Sequence, residues 1–73
     1  VKPPLVSGAR VVKALKRAGY RVIGQRGSHA KLYRDADEST LIVPLHHEVD
    51  RWTLKGILSD AGISVEQFLL LLR

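Results

Sequence analysis

Two stretches of this chain are framed alike, and the frame decides most of what the chain can fold into. From Ser7 to Gly19 and from Asp50 to Gly62, a residue whose side chain can accept a backbone N–H opens the segment and a glycine closes it. Inside the first frame, at about 100° per residue, Val11, Val12, Leu15 and Ala18 share one side while Arg10, Lys13, Lys16 and Arg17 lie nearly opposite. Inside the second, Leu54, Ile57, Leu58 and Ala61 recur at i, i+3, i+4 and i+7. Both segments are therefore predicted as amphipathic helices, the first with a basic outer face. Ser64 to Gln67 has the spacing of a capping box and opens a short last helix through Phe68, Leu69 and Leu72.

The residues between the two frames read differently. Tyr20 to Gln25 is rich in β-formers, Arg26-Gly27-Ser28 is a turn, and Ala30 to Arg34 resumes an extended pattern. Asp35 to Ser39 makes a second polar turn before the short strand Thr40 to Val43, which Pro44 is expected to stop. Gly24 weakens the first strand and marks a bulge or a close backbone approach. Leu45 to Val49 has no clear period. The predicted class is α+β, in the order α-β-β-β-α with a C-terminal helical tail, and the three-stranded antiparallel sheet carries both helices on one face. Alternation then sends His29, Lys31 and Tyr33 to the open face if Ala30 and Leu32 point inward. The opposite register would bury Tyr33, itself a good core residue, and stays open at this level.

Seventy-three residues are expected to form one domain over 1–73, because two cores would each fall below the size that folds unaided. The chain has no cysteine, which excludes disulfides and thiolate metal sites and agrees with a reducing cytosol. No charged start followed by an apolar stretch and a small-residue cleavage site is visible, and the run Phe68 to Leu72 is far short of the about 20 residues that span a bilayer. A soluble, cytoplasmic protein without membrane contact is the expectation. A formal charge of +5 favours polyanionic partners, nucleic acid above all, although the same charge also serves plain solubility.

The most informative stretch is Gln25-Arg26-Gly27-Ser28-His29. Here the sequence resembles the HicA family of toxins, small mRNA-cleaving partners in HicA–HicB toxin–antitoxin pairs. The resemblance extends over Ser7-Gly8, Ala18-Gly19-Tyr20, Val43-Pro44-Leu45-His46, and Thr53-Leu54 through Ile57-Leu58 to Ala61-Gly62-Ile63-Ser64, in the family's order and over nearly the whole chain. It implies a fold similar to a double-stranded-RNA-binding domain, ribonuclease activity on mRNA, and a single catalytic histidine in the Gly-Ser-His motif, which is His29 here. It also implies a HicB-type antitoxin that covers the site, with DNA reached only indirectly, through that antitoxin. Trp52 stands where many members carry glycine, and Gly24 where a larger residue is common.

Read from chemistry alone, RNA cleavage without metal requires a base for the 2′-hydroxyl proton and an acid for the departing 5′-oxygen. Histidine, with an ordinary pKa of about 6.5, serves either task near neutrality. The turn at Gly27-Ser28 admits a phosphate and Arg26 and Lys31 supply positive charge, while the resemblance, through its Pro44-Leu45-His46 block, makes His46 a candidate to line the RNA groove. One histidine is sparse for two proton transfers, so either His46 or His47 is recruited or the reaction is slow. His46-His47 with Glu48 and Asp50 is a poor metal site, since adjacent side chains on an extended chain diverge and no third spaced ligand is evident. No cofactor is expected. A Ser28 nucleophile lacks an orienting partner. The basic helix face is either solvated or a contact for RNA or antitoxin, Trp52 either an interface anchor or a cover for the start of the second helix, and the apolar tail either core or a self-association surface. A non-catalytic RNA-binding module on the same fold is the rival reading, and a DNA-binding or purely protein-binding domain a third.

Overall fold

The computed structural model describes residues 2–73. It contains α1 (Gly8–Arg17), β1 (Tyr20–Arg26), β2 (His29–Arg34), β3 (Ser39–Pro44), α2 (Arg51–Ala61) and α3 (Val65–Leu71), in the α-β-β-β-α order with a C-terminal helix. The caps lie where the sequence puts them. Ser7 accepts from the Arg10 N–H at 3.2 Å and Asp50 from the Thr53 N–H at 3.0 Å, while Ser64 and Gln67 form a reciprocal capping box. Gly19 at φ +97° and Gly62 at φ +69° leave the first two helices by backbone angles that a side chain disfavours.

The sheet is antiparallel with strand order β1-β2-β3. The open question of register is settled by burial. Ala30, Leu32, Leu41 and Val43 are buried toward the helices with Val11, Leu15, Leu54, Leu58 and Phe68, and both long helices contact that face. Tyr33 is half-buried on the opposite side, where the Arg21 guanidinium lies 5.5 Å from its ring. Tyr20, by contrast, is a core residue. The strands run slightly longer than predicted: β2 starts at His29, and Pro44 is the last residue of β3 rather than its stop, a position a proline tolerates at a strand end. No helix among the described residues is long and apolar enough to cross a membrane.

Two contacts lock the layers together. At one end, the Gly8 N–H donates to the His46 carbonyl at 2.9 Å and the Val49 N–H to the Val6 carbonyl at 2.7 Å, so the patternless segment after β3 is laced to the start of α1. A β-carbon at residue 8 would run into the Pro44 carbonyl and lie 2.7 Å from the Leu45 Cα, so only glycine allows this approach. At the other end, Arg34 closes β2. Its guanidinium donates to the Ala61 carbonyl at 3.0 Å and the Ala18 carbonyl at 3.4 Å, and packs 4.5 Å from the Tyr20 ring centroid. One cation thus satisfies free carbonyls at the C-termini of both long helices. The Asp37 carboxylate, in the turn between β2 and β3, accepts two further hydrogen bonds from it, at 3.0 and 2.8 Å.

Two expectations follow. Gly8→Ala should lower unfolding stability by about 1–3 kcal/mol, the usual cost of an overpacked contact, because backbone atoms rather than flexible side chains must yield; urea denaturation measures it. The hydrogen bonds from Arg34 hold the Asp37 carboxyl down at about 2, below its ordinary 3.8. Its contribution is therefore complete above about pH 4 and lost as pH falls toward 2. The melting-temperature difference between the parent and Asp37→Asn should be largest near neutrality and shrink steadily as pH falls from about 4 through 2.

Candidate functional site

The turn joining β1 to β2 is two residues long, and of the two only Gly27 has positive φ, at +58°. Glycine at the first central position with an ordinary second residue is the signature of a type II′ hairpin turn. Gln25 steadies it, its side-chain amide donating to the Gly27 carbonyl at 3.1 Å. The turn hands the chain directly to His29, the first residue of β2.

Arg26 owes its position to an irregularity. Tyr20 pairs with Arg34 and Val22 with Leu32, on the helix side of the sheet, but the register then shifts and Gly24 pairs with Lys31. Ile23 is the extra residue of a β-bulge. Because side chains alternate, a regular strand would have sent Arg26 to the helix face; the bulge moves it to the open face, opposite His29. Gly24, which the sequence marked as a bulge or a close backbone approach, is where the register changes, and nothing lies within 4 Å of where its β-carbon would be.

Arg26, His29 and Lys31 consequently line one shallow depression of about 450 Å³ with Gly24, Gln25 and Ile42, and no acidic residue lines it. Gly27 and Ser28 form the turn at its rim, and both are exposed. The segment after β3 runs beside His29. His29 pairs with Pro44, and the Leu45 N–H donates to the Ser28 carbonyl at 2.5 Å. These bonds, with the bond from Gly8, carry His46 to the site, where its ring centroid stands 6.3 Å from that of His29 at an interplanar angle of 72°. Both histidines are exposed. All six residues singled out in the sequence thus meet in one region, as two imidazoles, two cations and a glycine turn, a set suited to an anion with protons to exchange.

Ile42 and Gln25 were not foreseen. Once β2 and β3 are paired, alternation alone places Ile42 beside Lys31, so the missing information was the register. Among the described residues no group of three or more His, Cys, Asp or Glu side chains could hold a metal ion.

Other candidates lie elsewhere. A hollow of about 640 Å³ is larger, but it surrounds the Arg34–Asp37 pair at the far end of β2, about 17 Å along the strand from His29, and contains no histidine. Arg17 is withdrawn from the basic helix face, since it donates to the Leu71 carbonyl at 2.6 Å and also to that of Arg73. Arg10, Lys13 and Lys16 remain exposed. Trp52 is 79% exposed with the Lys55 ammonium 5.5 Å from its ring, and so covers nothing. In the tail, Phe68 is core and Leu70 is exposed.

Compared with known families, residues 8–63 match the family described as the HicA toxin of bacterial toxin–antitoxin. No curated protein matches the chain. The matched span includes the hairpin, the bulge, the segment after β3 and all of α2.

The backbone at Gly27 sets a measurable demand. Space around it is open, so Gly27→Ala meets no clash and costs only the positive-φ backbone of the turn, about 1 kcal/mol or more in thermal or urea unfolding. Gly27→Asn should cost less, because asparagine is among the residues that turns of this class accept at positive φ.

Proposed function

The chain belongs to the HicA toxin family of bacterial toxin–antitoxin systems, and on that premise we propose that it is an endoribonuclease that cleaves mRNA by acid–base chemistry, without metal, with His29 as its catalytic residue. The observation that carries the reading is the convergence of Arg26, His29 and Lys31 in a depression without acidic groups, at the rim of a glycine turn.

The substrate suits this arrangement. An RNA phosphate approaching the open face meets Arg26 and Lys31, whose charge opposes the negative charge that grows on the phosphorane. Gly27 and Ser28 leave room for the backbone, and His46 borders the groove. Ile42 gives a base an apolar surface beside the phosphate subsite. His29 exchanges a proton with the reacting oxygens, as general acid or base. Single-stranded or looped RNA is the preferred form, because a shallow face can take splayed nucleotides where a paired helix hides them.

The partner in this proposal is a HicB-type antitoxin that covers the open face and prevents RNA from reaching His29. DNA contact comes only through that antitoxin, and the toxin acts in the cytoplasm as one domain over residues 1–73. The charge of +5 favours both an acidic partner surface and RNA.

Inducing the parent and His29→Ala separately in cells without antitoxin tests the assignment. The parent should arrest growth and fragment mRNA, whereas the variant, folded by circular dichroism and still binding RNA, should cleave about 10²–10⁴-fold more slowly. A folded parent that binds RNA but leaves it intact would instead mark a binding module, and equal cleavage by both proteins would remove His29 from the chemistry.

A further inference from the structure

Transphosphorylation of RNA moves two protons, and His29 can carry only one of them at a time. The geometry points to His46 as the second acid–base group of the site, paired with His29 across the scissile phosphate; this rests on the ribonuclease reading above.

Three observations lead there. The His46 ring is brought beside His29 from a different part of the chain, with centroids 6.3 Å apart and planes at 72°. Its backbone is held, since the Gly8 N–H binds its carbonyl and Leu45 before it binds Ser28. Both rings are exposed, so a phosphate can reach either. Adjacent His47 lies at the edge of a separate hollow with Ser7, Ala9, Leu45 and His46, and does not pair with His29.

The spacing fits the reaction. In an in-line displacement the attacking and leaving oxygens lie on opposite sides of phosphorus. Paired metal ions that clamp both oxygens stand about 3.5–4 Å apart, and proton carriers, which reach them through hydrogen bonds of about 2.6–3.2 Å, stand further apart. In the step, one neutral imidazole takes the proton of the 2′-hydroxyl as O2′ bonds to phosphorus. The P–O5′ bond breaks, and the other ring, entering as imidazolium, gives its proton to O5′. The products are a 2′,3′-cyclic phosphate and a 5′-hydroxyl, and the two histidines end with their protonation exchanged. The charged groups lining the two hollows are Arg26 and Lys31, beside His29, and the other titratable group is His47, beside His46; no carboxylate lines either.

A site needing one neutral and one protonated histidine has a bell-shaped pH dependence of kcat/KM. The parent is assayed on an oligoribonucleotide spanning one of its own mapped cleavage sites, and on the same oligomer with bridging sulfur in place of the scissile 5′-oxygen. Thiolate leaves without an acid, so this substrate rescues only the variant that lacks the acid. His46→Ala and His46→Gln should each lose about 10²–10⁴-fold on the oxygen substrate and one limb of the pH profile. His29→Ala should lose the opposite limb, and sulfur should restore only one of the two sites' variants. If the parent cleaves while the folded His46 variants keep both limbs, or sulfur restores the variants of neither site, the inference falls and the ribonuclease reading stands. If the parent leaves both substrates intact, that reading falls and takes the inference with it.

Discussion

Helix α1 can lie where it does only because residue 8 has no side chain. Its first turn presses onto the end of β3 so closely that a single methyl group would meet the Pro44 carbonyl. That approach lets the Gly8 N–H reach His46 and Val6 reach Val49, and these bonds give shape to a segment whose sequence carries no period of its own. The same approach seats Val11 and Leu15 in one core with Val43 and Leu41. Core packing and the placement of a site histidine are therefore one constraint seen from two sides of the sheet.

Strand β2 divides the work along its length and between its faces. Ala30 and Leu32 are core, while His29 and Lys31 alternate with them toward the open side. At its far end Arg34 gathers two helix termini, an aromatic ring and a carboxylate. The demand for low exposure around Arg34 and the demand for an accessible His29 conflict, and six residues of extended chain keep them apart. The bulge in β1 serves the same division: Tyr20 and Val22 stay on the helix side while Arg26 joins the open side.

Much of this was legible in the sequence, because it is written in local signals. Ser7, Asp50 and Ser64 as caps, Gly19 and Gly62 as stops and Gly27 as a turn each depend on neighbours within a few residues. The open-face placement of His29 and Lys31 followed from alternation once an inward set was chosen, yet the choice itself needed the packed structure, since Tyr33 was as plausible a core residue as Leu32. Contacts between distant segments were hidden. Nothing near Arg34 in the chain announces that it caps both α1 and α2, nothing near Arg17 that it is held by the C-terminal carbonyls, and nothing in Leu45 to Val49 that it is tied to Val6 and Gly8. The shift of Arg26 to the open face was hidden as well, although Gly24 hinted at its cause.

The two histidines of the site reach their positions by routes of different length. His29 follows a two-residue turn, so its geometry forms as soon as the hairpin closes, in the microseconds typical of such local events. His46 needs β3 paired to bring Leu45 to Ser28, and its own carbonyl is bound by Gly8, from the opposite flank of the sheet in sequence, only when the helix layer docks. Until then the hairpin can exist with half of the pair missing. A chain still emerging from the ribosome, or one caught with α1 undocked, thus presents an incomplete site, and the maturity of the fold and the completeness of the histidine pair arrive together.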